Sequence, residues 1–143
     1  MIRLGVLVSI AAFGLALPAF GQTVGNCPRG VSVEANTPWV LFDLGSAQLK
    51  PEHKPIIAKA VEKAKATQAV SVCLVGQTDK LGDKAMNAKL AEARSRAVAT
   101  EMIKDGYPAQ KIVIAVNPEA FGNMSLGGAD SSEKDRRVSI LFK

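Results

Sequence analysis

Residues 76 to 98, GQTDKLGDKAMNAKLAEARSRAV, set a carboxylate, an amide and a guanidinium at fixed distances: Asp79, then Asn87, then Arg94 seven residues later. Seven residues is close to two helical turns, so a helix here puts Asn87 and Arg94 on one side. Gly82 lets the backbone turn tightly between Asp79 and that helix. Such a trio suits a zwitterion. The carboxylate pairs with an ammonium, the guanidinium takes a carboxylate in bidentate fashion, and the amide fixes orientation. A plainer arrangement competes with it: Asp79 and Arg94 bridge each other, or Asp79 favours the helix N-terminus, for about 0 to 1 kcal/mol when exposed. On spacing alone the plainer arrangement is the commoner.

Other chemistry finds little to work with. His53 is the only histidine and stands among lysines, as expected of a solvated surface residue rather than a base or metal ligand. No His and Cys cluster has metal spacing, so neither a metal nor a cofactor is expected. A hydrolase would need a paired acid and base or an activated nucleophile, and Asp79 held ionised beside Arg94 is a poor general acid.

The elements that must position these residues follow from periodicity. PWVLFDLGSAQL holds a short strand, Trp39 to Phe42, ended by a turn at Asp43, Gly45 and Ser46. KPEHKPIIAKAVEKAKA has Pro51 where a first helical turn tolerates it and apolar residues at Ile56, Ile57, Ala60, Val61 and Ala64, one face of a helix. AVSVCLVG, residues 69 to 76, reads as a buried strand. A second helix spans Lys84 to Lys104, with Met86, Leu90, Ala93 and Ala97 as its expected apolar stripe and Gly106 and Pro108 as its stop. KIVIAV and RRVSILF supply the third and fourth strands. The order β-α-β-α-β-β predicts an α/β two-layer sandwich, a mixed four-stranded sheet with both helices on one face. Asp79 then follows the second strand, at the edge where open sheets place their ligand crevices.

At 143 residues, 48% of them apolar, the chain has room for one domain. Its first 21 residues read as a signal peptide: Arg3, an apolar run from Leu4 to Phe20, then small residues before a cleavage after Gly21. That run is short for a span of about 20 residues. Residues 22–37 read as an irregular segment, and 38–143 as the domain. Without Arg3 the chain keeps 17 Lys and Arg against 13 Asp and Glu. Export, and the lack of aromatic residues among the cations, argue against a nucleic-acid partner. Cys27 and Cys73 can pair in an oxidising compartment, closing a loop for about 4 kcal/mol on the chain-entropy model. The other reading leaves Cys73 as a buried strand residue and Cys27 loose.

VLFDLGSAQLKPE, GQTDKLGDKAMNAKLAEARSRAVATEMIKDGYPAQKI and DRRVSI, in that order over about residues 38 to 143, resemble the OmpA C-terminal-like domain. The resemblance implies a non-enzymatic periplasmic module that binds peptidoglycan by the diaminopimelate end of its stem peptide. It implies Asp79 as the key acid of the Thr78-Asp79 pair, Arg94 as the key arginine and Asn87 as a helper. Asp43, Leu44 and Gly45 match the opposite wall, where backbone groups are used. Arg136 or Arg137 faces the ligand according to strand phase. Asp135 stands where Asn is more frequent, and the segment after the third strand lacks the family's usual Gly-x-Gly-Glu. The chain is thus expected to be a stand-alone exported member, periplasmic, with outer-membrane association as an option. The alternative is an interaction protein of the same fold that binds an outer-membrane or other envelope protein.

Overall fold

The computed structural model describes residues 23–31, 33–78, 83–116 and 133–143. The expected signal peptide (1–21), Asp79, Gly82 and the departure from the family pattern after residue 116 lie outside the described residues.

In chain order the elements are β1 (Thr23–Val24), β2 (Trp39–Leu41), α1 (Lys54–Ala66), β3 (Val72–Gly76), α2 (Lys84–Lys104), β4 (Ile112–Val116) and β5 (Arg137–Phe142). Pro51–His53 make a 3-10 turn leading into α1. The sheet runs β1-β4-β3-β5-β2, with β3 parallel to β4 and β5 antiparallel to both β3 and β2. The expected four-stranded mixed sheet is therefore present. The segment read as irregular adds to it a two-residue edge strand, β1, parallel to β4.

Alternation sorts the strand residues between two cores. Val72, Leu74, Ile112, Ile114, Val138, Ile140 and Val40 face the helices and pack with Ile57, Val61, Val98 and Met102. Cys73, Val75, Ala115 and Leu141 face the other way, where Cys27 and Val31 pack over them. A disulfide joins Cys27 to Cys73, with Cα atoms 5.6 Å apart. It straps the N-terminal segment across the face that the helices leave open.

α1 buries the residues its periodicity selects, Ile57, Ala60, Val61 and Ala64. α2 does not. Half of its expected stripe is turned outward, Met86 being 70% exposed and Ala93 exposed as well, while Leu90 and Ala97 are half-buried and Ala97 packs on the edge of the core. The buried face is instead Ala91, Arg94, Ser95, Val98, Ala99 and Met102. Close approach explains the difference. A Cβ added at Gly76 would overlap the Ala91 carbonyl oxygen and lie 2.7 Å from Ser95 Oγ, so β3 and α2 meet backbone to backbone. Small residues serve that contact better than large apolar ones, and two of the buried residues are polar, which hides the face from a hydrophobic count.

Helix ends are conventional. Asp83 caps α2 by accepting from the Met86 amide at 2.9 Å. At the other end Gly106 takes φ +84°, and the Tyr107 amide donates to the Met102 carbonyl at 3.0 Å, closing a Schellman turn. α1 ends the same way, with Ala69 donating to Ala64 at 2.9 Å, but Gln68 occupies the left-handed position at φ 53°.

Candidate ligand-binding site

Because β5 is antiparallel to both β2 and β3, its start lies beside their C-terminal ends. Three chain segments meet there: the turn after β2, the residues after β3 and the approach to β5. The turn is closed by the Ser46 amide donating to the Asp43 carbonyl at 3.1 Å, with Gly45 at φ +66°. That backbone conformation favours glycine.

Arg94 reaches this meeting point from α2. Its Nε donates to the Ser46 carbonyl at 2.8 Å, Nη2 to the Asp43 carbonyl at 2.9 Å and Nη1 to the Gln77 carbonyl at 3.4 Å. The guanidinium carbon lies 5.5 Å from the centroid of the Phe42 ring, and the residue is only 1% exposed. A cation so far from water requires partners, and charge-assisted bonds to carbonyls supply them. One side chain thereby ties the turn after β2 to the end of β3.

Around it the other expected residues divide. Asp43 serves Arg94 with its backbone, as the resemblance implies for this wall, while its carboxylate bridges Lys50 at 2.7 Å. That hydrogen bond raises the Lys50 pKa above its ordinary value. Leu44, at the tip of the turn, is 69% exposed. Thr78 is buried at the end of the described segment after β3, and Asn87 is half-buried in the first turn of α2, on the same side as Arg94. Asp79 lies outside the described residues.

Strand phase separates the two arginines of RRVSILF. The even-numbered residues of β5 face the helices, and Arg136 follows that phase just ahead of the strand. Its Nε donates to the Phe42 carbonyl at 3.2 Å, while its own carbonyl accepts from the Phe42 amide at 2.8 Å. Arg137 points to the opposite face, its guanidinium carbon 6.0 Å from the Trp39 ring centroid. Arg136 is therefore bound to the strand entering the Asp43 turn, and Arg137 is turned away from the helices.

Several contributors escape sequence reasoning. Ser46 enters only through its carbonyl, which no side-chain pattern reveals. Gln77 is buried, with Nε2 donating to Asp135 Oδ1 at 3.3 Å and its amide to the Arg137 carbonyl at 2.9 Å. Its neighbour Gly76, legible only as a strand end, is the close-approach point that brings α2 and Arg94 to the site. His53 is half-buried with Nδ1 out of contact with water, not the solvated residue its lysine neighbours suggest. Among the described residues no helix is long and apolar enough to cross a membrane.

The sequence pattern of the OmpA family matches residues 41–139. Outer membrane protein A of Bordetella avium is 30% identical over 103 residues, 69% of this chain and 51% of that protein. The chain thus spans about half the length of that relative. The crystal structure of the peptidoglycan-associated lipoprotein from Burkholderia pseudomallei is similar at a TM-score of 0.64, with 21% identity over 74% of this chain and 90% of that one. The OmpA-like domain of FopA1 from Francisella tularensis subsp. tularensis SCHU S4 is similar at 0.62, with 24% identity over 89% of this chain and 94% of that one. At such identities the two structures speak for the fold, and the family pattern speaks for descent. The chain belongs to the OmpA family, whose C-terminal-like domains are non-enzymatic modules of the cell envelope that generally bind peptidoglycan.

Proposed function

We propose that this chain binds peptidoglycan noncovalently in the periplasm, holding the diaminopimelate end of a stem peptide between Asp79 and Arg94. The observation that carries the reading is the buried Arg94 guanidinium, fixed by the Asp43, Ser46 and Gln77 carbonyls at the meeting of three segments. A cation held in place away from water acts more strongly on a ligand carboxylate than a solvated one. Asp79 is the second residue after Gln77 and takes the ligand ammonium. Asn87 orients the ligand from the Arg94 side of α2. Thr78 and the backbone of Asp43, Leu44 and Gly45 form the walls. Arg136 is the ligand-side member of the arginine pair, and Arg137 is a positioning residue. The Cys27–Cys73 disulfide suits an oxidising compartment, in keeping with export.

Arg94→Ala is an ambiguous test, because it removes bonds that hold two segments together and is expected to cost about 3 kcal/mol of stability. Asp79→Ala is the better variant. In a pulldown on insoluble sacculi the wild-type chain is retained, and Asp79→Ala is expected to bind about tenfold more weakly or worse with unchanged melting. Equal retention of the two would sink the assignment of Asp79. If sacculi fail to retain the wild type, the reading fails, and the chain is better sought as the partner of an envelope protein.

A further inference from the structure

We propose that the groove beside Trp39 is a second contact surface, which takes the N-acetylated glycan strand to which the stem peptide is attached. The inference rests on the peptidoglycan reading above and extends it to the sugar part of the ligand.

Trp39 opens the edge strand β2 and is 43% exposed, although it is a large aromatic in a chain with a well-filled core. A groove of about 380 Å³ runs beside it, lined by Pro38, Trp39, Leu41, His53 and Ile56. Among the described residues that line the groove there is no carboxylate, lysine or arginine, and the nearby Arg137 guanidinium is taken up by the indole ring. A stem peptide, rich in charge, finds no complement there, whereas a neutral ligand does. A pyranose ring is neutral, with one face of C–H groups and a rim of hydroxyls. An indole matches it, since its broad apolar face is bounded by one polar N–H.

The ring also has a cationic neighbour that restrains it. The Arg137 guanidinium carbon lies 6.0 Å from its centroid, and Arg137 itself is opposite Leu41 in the β2–β5 register. A pre-positioned aromatic loses less freedom on binding.

Position supplies the remaining link. β2 leads from Trp39 to Leu41, and Phe42 follows before Asp43, whose carbonyl holds Arg94. Four residues of extended chain span roughly 13 Å. A stem peptide gripped at the Asp43 turn is covalently tethered to sugar, so a glycan lying along β2 remains within reach of both contacts. Two weak contacts on one polymer raise retention well beyond either alone.

Trp39 is the only tryptophan of the chain, so its emission reports on this groove alone. The purified protein is titrated with short peptide-free glycan strands released by an amidase, and separately with free stem tripeptide. Glycan is expected to shift the Trp39 emission saturably, and Trp39→Ala is expected to bind the same strands about tenfold more weakly by calorimetry. Trp39→Phe keeps a ring and should retain most of the affinity, which separates loss of stacking from loss of fold. Absence of both the emission change and the Trp39→Ala effect, with stem-peptide binding intact, overturns the glycan contact and leaves the stem reading standing. Failure of stem peptide and intact sacculi alike removes the stem reading, and this inference with it. An emission shift that follows protein concentration without glycan, with the molecular mass doubled, assigns the groove to a second copy of the chain and overturns the proposal.

Discussion

Arg94 and Gly76 show how two residues can decide a site without either being conspicuous. The guanidinium accepts burial because three carbonyls converge on it, and they converge because α2 lies against β3 with nothing between Gly76 and the Ala91 carbonyl. Gly76→Ala should force the helix away from the strand. Overpacking at such a contact destabilises by about 1 to 3 kcal/mol, and here the displaced helix carries Arg94 with it. Urea denaturation should show that loss, and sacculus retention should fall in step. A Gly76→Ala protein with wild-type stability would mean that the helix and strand can separate freely, and the close-approach account of the α2 face would be wrong. The residue types of this region were legible in the sequence, but the close approach at Gly76 was not, because glycine at a strand end reads first as a stop.

At the scale of elements, helix ends and strand phase carry most of the information. Gly106 and Gln68 occupy equivalent left-handed positions after α2 and α1, at φ +84° and 53°. Only the first is suited to it, since a Cβ in that conformation meets its own backbone. Gln68→Gly should therefore raise stability by roughly 0.5 to 1 kcal/mol, seen as a higher denaturation midpoint with the same slope. A lower midpoint would mean that the Gln68 side chain contributes more than its backbone costs. Period-two alternation in β5 settles the two arginines, placing Arg137 over Trp39 and Arg136 on the helix-facing phase. The sequence offered both and could not choose, because a strand start one residue earlier or later exchanges the faces. In α1 the apolar face was legible because burial and hydrophobicity coincide. In α2 they part, since the helix buries Arg94 and Ser95 and exposes Met86.

At the scale of the whole molecule, the disulfide gives the sheet a cover on its second face. Cys27 and Cys73 are 46 positions apart, and closing a loop of that length is worth about 4 kcal/mol on the chain-entropy model. Reduction, or Cys27→Ala with Cys73→Ala, should lower the unfolding free energy by about that amount and uncover Val75, Ala115 and Leu141, with increased binding of a hydrophobic dye. Identical denaturation curves with and without reductant would show that the strap adds nothing. Turn residues, caps and hydrophobic periods are local signals, and they suffice for the order of the four main strands and two helices, the buried face of α1 and the end of α2, while three ordered motifs point to the family. The family resemblance also put Arg94 and the Asp43 turn on one candidate site. Long-range packing sets which face α2 buries, which carbonyls hold Arg94, which way each arginine points, and that the two cysteines pair across the open face. Those depend on distances between segments remote in the chain, and no local period encodes them.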